Sequence, residues 1–345
     1  MPRLRLPLSP RTRRATTALA VILLAAGFAA AATALPAGSV RYVGPAPTIV
    51  PIAHRVAAAA AMAAPPRMAR LSLAEPDLGI GPPAALDPSL LERTPEGTLP
   101  QLAPDGTGSL ARYARPSPGP CRRPCVAMLV TGLGLVARLT ERALALPAPI
   151  ALAFSPYADA RAWQARARAA GHEVLLSLPL QPVEARDDAG PLTVPVGGSG
   201  AELRAALQRV LATGGGFVAV DATAGAFAGA AGPAEAMAEE LHARGLGLIE
   251  RDGDRLAEAA LAAGLPYRSA TTVDPDPTPE AIDRSLAQIA AAALRAGQAV
   301  AVASALPVTF ERIMAWSASL EAQGIELVPP SRLLLAAPDP ALARR

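Results

Sequence analysis

Chemistry in this chain has few residue types to draw on. Of its 345 residues three are histidine and two are cysteine, and every basic side chain is arginine. The lack of lysine removes Schiff-base and amine-nucleophile chemistry, and with them a Walker-type phosphate loop, which needs an ammonium. What stands at the ends of the apolar runs is a scatter of hydroxyls and two carboxylates: Thr131, Ser155, Ser177, Asp221, Glu250 and Ser304, with Thr223 just beyond Asp221. A hydroxyl is a weak nucleophile without a base beside it, and none of these lies in a nucleophile-elbow sequence. Hydroxyls lining a pocket are the plainer expectation. Cys121 and Cys125 lie four residues apart with no histidine near, which makes a poor metal site. A local disulfide closing C-R-R-P-C and a pair of unpaired thiols are the two readings left. So short a loop would restrain the approach to the first strand rather than hold a domain together.

The elements that must position these residues show as eight apolar runs of strand length. They fall at 126–130, 150–154, 173–176, 217–220, 246–249, 267–270, 298–303 and 326–328. The runs are continuous rather than alternating, as parallel strands buried on both faces require. Helical segments with legible ends separate them. Ser199-Gly200-Ala201-Glu202 reads as a capping box, and Thr278-Pro279-Glu280 as an N-cap followed by a first-turn proline. Gly171, Gly245, Gly297 and Gly324 mark stops. Strand followed by helix, seven or eight times, predicts an α/β fold built as a distorted parallel (β/α) barrel. Working residues then belong at the carboxyl ends of the strands, where the hydroxyls and carboxylates stand.

The N-terminus predicts export. Arg3, Arg5, Arg11, Arg13 and Arg14 precede an uncharged run from Ala15 to about Leu35, the pattern of a signal segment. About 20 apolar residues can span a bilayer, while Ala32-Thr33-Ala34 is an acceptable cleavage site. A signal peptide or membrane anchor over 1–37 is thus expected, cleaved or retained, with the remainder in the periplasm. Residues 38–120 are rich in proline and alanine and hold no lasting apolar period, which predicts a disordered linker. The ordered domain is expected over 121–338. A net charge of +3 and 3% aromatic residues give nucleic-acid binding no support.

The glycine turn after the first run offers one motif. Gly132-Leu133-Gly134-Leu135-Val136-Ala137 fits G-x-G-x-x-A between strand and helix, where glycines would let a pyrophosphate approach a helix N-terminus. The fingerprint also requires an acidic residue ending the second strand. That strand ends Ala153-Phe154-Ser155-Pro156, so a dinucleotide-binding domain stands only as an alternative.

A further set of segments, in order and correctly spaced, resembles the divergent polysaccharide deacetylase family. These are Val126–Gly134, Leu152–Ala158, the G-H-E-V-L-L-S-L-P-L-Q-P block from Gly171 to Pro182, Val218–Ala226, Gln298–Thr309 and the segment around Trp316. Leu99–Pro116 also resembles the lead-in of some members. The resemblance implies a distorted barrel, a role in carbohydrate metabolism in the cell envelope and, in active members, zinc- or similar metal-assisted hydrolysis of an N-acetyl group on a glycan. It also implies an Asp-Asp pair where this chain has Thr131-Gly132, and histidines where it has Ser177, Thr223 and Ser304. The turn glutamate is replaced by Gln181.

Zinc sites draw on imidazole, carboxylate or thiolate, and neutral hydroxyls cannot bring a bound water to a pKa near neutrality. The expectation is therefore a pseudoenzyme of this family, without metal or other cofactor. It would bind an envelope glycan such as peptidoglycan, or act as a scaffold, and be held at the inner membrane by its N-terminal segment. An active hydrolase using a rearranged site around Asp221, Glu250 and the hydroxyls is the alternative. His172 is expected to help cap the helix before it.

Overall fold

Alternation along the strands organises the molecule. In the computed structural model, which describes residues 85–336 apart from Ala185, nine residues of the first barrel strand run from Cys125 to Leu133. Cys125, Ala127 and Leu129 belong to one buried cluster, whereas Val126, Met128 and Val130 belong to another. The second cluster contains the apolar faces of the surrounding helices, such as Leu207, Met237 and Ile289, and so forms the layer between sheet and helices. The first contains Ala151, Ala153, Leu175, Ala219, Ile249, Ala270, Val300 and Val302 and fills the barrel. Successive side chains of a strand point to opposite faces, so the parity set by these residues decides what reaches the mouth. Ala127, Ala151, Ala153, Ala219 and Ala270 leave room for the larger Leu129, Leu175 and Ile249 in the little space that seven strands enclose.

A separate two-stranded antiparallel hairpin, β1 (Leu91–Thr94) and β2 (Gly97–Pro100), precedes the barrel sheet. Seven parallel strands then close the barrel: β3 (Cys125–Leu133), β4 (Ala151–Phe154), β5 (Val174–Ser177), β6 (Ala219–Ala222), β7 (Gly247–Arg251), β8 (Tyr267–Thr272) and β9 (Gln298–Ser304). Closure comes from β9 pairing with β3, Cys125 opposite Gln298 through Thr131 opposite Ser304. The eighth run, β10 (Glu326–Val328), pairs with Cys125–Ala127 of β3, whereas β4 pairs with Leu129–Leu133. Three residues at the foot of β3 thus take an added strand, and the barrel closes at seven.

Of the caps read from sequence, Thr278 takes the N-cap backbone position ahead of Pro279 without a side-chain capping bond, whereas those at Ser199 and Gly297 form as expected. Ser199 and Glu202 exchange side-chain and backbone hydrogen bonds at the head of helix Gly200–Leu211. Gly297 ends helix Pro279–Ala296 in the left-handed conformation at φ +82°.

The expected linker requires correction. From residue 85 the chain is folded, although 1–37 and 38–84 lie outside the described residues. Leu90, Leu110 and Tyr113 are buried in the barrel-filling cluster together with Leu333 and Leu334 of the terminal helix Pro330–Leu334. This stretch could not fold alone, but it has the foot of the barrel to cover. The Ser109 hydroxyl donates to the Phe217 carbonyl at 2.7 Å, and the Leu110 amide to the Gly245 carbonyl at 2.8 Å. A Cβ on Gly108 would lie 2.6 Å from the Gly245 Cα, so this crossing of two backbones needs glycine. Cys121 and Cys125 form a disulfide just before β3.

Glu173 fastens the same region. Its fully buried carboxylate accepts the Arg115 amide at 2.7 Å, the Ser331 amide at 3.0 Å and the Ser331 hydroxyl. His172 beside it places Nδ1 2.8 Å from the Ile150 carbonyl and Nε2 3.4 Å from that of Leu144. Leu144 is the C-cap of helix Ala137–Ala143. A buried, neutral imidazole has one N–H to give, and the shorter bond ties it to Ile150 just before β4 rather than to Arg161–Ala169, the immediately preceding helix to which the sequence had pointed. The His-Glu pair of the most family-like block works at the foot of the barrel, away from the mouth.

Candidate functional site at the barrel mouth

Inward parity carries six side chains to the carboxyl ends of the strands. Extending Leu129, Ala153, Leu175, Ala219, Ile249 and Val302 by two residues each gives Thr131, Ser155, Ser177, Asp221, Arg251 and Ser304. Five of the six line one open cavity of about 340 Å³ that also takes in Tyr157, and Asp221 lies beneath it.

Asp221 is the hub. It is fully buried. The Ser177 hydroxyl donates to its Oδ1 at 2.9 Å and the Thr131 hydroxyl to its Oδ2 at 3.2 Å, with the two hydroxyls 3.1 Å apart. The Arg251 Nε stands 3.3 Å from Oδ2. A buried carboxylate is tolerated when it is paired and hydrogen-bonded, and these three partners meet that condition. Ser304 faces a second buried carboxylate, Asp274. Its amide and hydroxyl donate there at 3.0–3.2 Å, and Thr309 adds its hydroxyl at 2.8 Å. Ser155 is buried, with its Oγ accepting the Tyr157 amide at 3.3 Å.

Thr131, Ser177 and Asp221 thus meet, while Ser304 lines the same cavity on its own carboxylate. Thr223 does not join them. It lies past the end of β6 and is exposed. Glu250 has the outward parity and is occupied elsewhere: it accepts the Arg255 and Leu256 amides at 3.0 and 2.9 Å and the Tyr267 hydroxyl at 2.7 Å, at the start of helix Ala257–Ala262. Burial, and after it the hydrogen bond to Glu250, raise the Tyr267 phenol above its ordinary range. Arg251 is the residue that sequence reasoning missed. Parity would have found it, since an inward Ile249 turns Glu250 out and Arg251 in.

The glycine turn finds a packing role rather than a phosphate. Gly134 sits at φ +92° and a Cβ there would come within 2.8 Å of Ala158 Cβ. Its amide donates to Thr140 Oγ1 at 3.0 Å, which occupies the N–H that a pyrophosphate would need. The dinucleotide alternative is not supported by this geometry.

The donor set at the mouth is hydroxyl-rich. Among the described residues no three histidine, cysteine, aspartate or glutamate side chains converge to hold a metal. The oxygens of Asp221 already meet Thr131, Ser177 and a guanidinium.

Comparison with known proteins gives the fold its relatives. Residues 128–334 match the model of the divergent polysaccharide deacetylase family. The crystal structure of an uncharacterized protein, ATU2773, from Agrobacterium tumefaciens C58 is 31% identical, with 69% of this chain and 99% of that chain covered at a TM-score of 0.66. A putative cellobiose-phosphate cleavage protein, EF3048, from Enterococcus faecalis V583 is 12% identical, with 59% and 96% covered at a TM-score of 0.41. A mutant of BA3943, described as a CE4 family pseudoenzyme, is 14% identical, with 64% and 72% covered at 0.35. No curated protein matches the chain. With more than half of its length matched by one family model, the chain belongs to the divergent polysaccharide deacetylase family.

Proposed function

We propose that this protein is a glycan-binding member of its family that works without metal-assisted deacetylation. The observation that carries this reading is the Arg251–Asp221 pair at 3.3 Å. A divalent cation beside Asp221 would be repelled by the guanidinium already there, and the remaining groups are hydroxyls, which make poor ligands for zinc. The residues present therefore do not fit the metal that active members use. Ser177 points its hydroxyl at Asp221 as a nucleophile would at a base, but a carboxylate held by an arginine and a second hydroxyl is poorly disposed to take its proton. A cavity of this size with convergent polar groups suits a sugar unit.

The arginine-rich start and apolar run before Leu35 support export to the periplasm or anchorage at the inner membrane, and the Cys121–Cys125 disulfide accords with an oxidising compartment. Export would bring peptidoglycan or another envelope glycan within reach as the partner.

Pulldown on peptidoglycan and exopolysaccharide, run beside an acetate-release assay on acetylated sugars, tests the reading. Binding without release is expected. Acetate release that Asp221→Ala abolishes would establish instead a hydrolase with a rearranged site.

A further inference from the structure

We infer that the barrel mouth selects uncharged sugars and that Arg251 is the residue that reads them, an inference resting on the glycan-binding reading above. The Arg251 Nε is buried against Asp221, while the side chain as a whole keeps 28% exposure and lines the cavity. Among the described residues no hydrogen bond occupies its terminal nitrogens. Guanidinium nitrogens donate and never accept. The two buried carboxylates nearby are meanwhile satisfied, Asp221 by Thr131 and Ser177, and Asp274 by Ser304 and Thr309. The Thr131, Ser177 and Ser304 hydroxyls that line the cavity, their protons spent, keep acceptor lone pairs. Tyr157 gives its hydroxyl proton to the Ala189 carbonyl. The cavity thus sets guanidinium N–H donors beside hydroxyl acceptors, the mixed pattern that sugar hydroxyls and an amide can meet.

Charge decides which sugars. Arg251 and Asp221 already make a neutral pair. An acidic sugar would bring a second carboxylate to an arginine that has one, with Asp274 behind Ser304 adding repulsion. An amino sugar would bring an ammonium against the Arg251 guanidinium, the charged group nearest the opening, because both carboxylates are buried beneath it. An uncharged ring presenting carbonyl or hydroxyl oxygens meets neither penalty. Tyr157 and Leu135, 40% and 58% exposed on the cavity wall, offer apolar surface to the C–H face of such a ring.

Calorimetric titration of the full-length protein with four oligosaccharides of equal length tests this. Oligomers of N-acetylglucosamine and glucose are uncharged, glucosamine is cationic at a mildly acidic pH, and galacturonate is anionic. The uncharged oligomers are expected to bind and each charged one to bind roughly tenfold or more weakly, the scale of one charge-assisted hydrogen bond. Arg251→Lys keeps a cation beside Asp221 but withdraws the planar fork, so binding of the uncharged oligomers should fall by a similar factor. If that variant melts below the assay temperature, Asp221→Asn combined with Arg251→Gln removes both charges together and carries the same expectation. Equal binding of charged and uncharged oligomers, or no effect of the variant, overturns the selectivity and leaves glycan binding standing. Binding of none of the four overturns the glycan reading itself.

Discussion

Arg251 and Asp221 stand on adjacent strands and meet with Nε 3.3 Å from Oδ2, the carboxylate fully shielded and the arginine partly in solvent. The asymmetry makes their removal unequal. Arg251→Ala strands a buried charge with only two hydroxyls to hold it and should cost about 3 kcal/mol, the lower end of the range for breaking a buried pair because those hydroxyls remain. Asp221→Asn, which keeps acceptor and shape, should cost less. Urea unfolding of both variants beside the parent measures the difference.

Glu173 should make stability fall with rising pH. Burial pushes its carboxyl up to about 7 from the ordinary 4.5, against the pull of Ser331 and Arg115. A folded pKa above the unfolded one means that the stability tied to the bound proton is complete below about 4.5 and is lost as pH climbs through about 7. A tenfold difference in proton affinity is worth about 1.4 kcal/mol, so the loss comes to a few kcal/mol at most. Denaturant midpoints across this range should decline, and in Glu173→Gln the decline should flatten.

Divalent metal should be thermally silent. With a guanidinium against the mouth's carboxylate, neither zinc addition nor chelation with EDTA is expected to move the melting temperature. A rise with stoichiometric zinc, which binding to the native state alone would produce, would sink the metal-free reading.

The disulfide should matter locally. Cys121 and Cys125 close a loop of only a few residues, so Cys121→Ser should cost about 2 kcal/mol or less. Hydrogen exchange should show the loosening near Gly119 and Pro120, whose carbonyls accept from Arg332.

Much of this was legible in the sequence. All eight strand runs were, because buried parallel strands write themselves as unbroken apolar stretches. Thr131, Ser177 and Asp221 were found because strand ends were known. Arg251 was not, since a continuous apolar run hides which parity faces inward, and only the partition of Ile249 from Leu248 between two clusters reveals it. The fold of 85–120 escaped notice for a different reason. Leu90, Leu110 and Tyr113 are too sparse to make a periodic pattern, and their burial depends on a surface supplied by distant strands.

The covering of the barrel's foot also gives the domain a direction. Tyr113, Arg115, Ser331 and Leu334 all engage the amino ends of the strands, whereas the cavity opens at the carboxyl ends. The described chain therefore comes into the barrel and leaves it on one side while the cavity opens on the other. If the proposed glycan binding holds, a partner as large as a glycan mesh would be met face-on without displacing either end of the described fold.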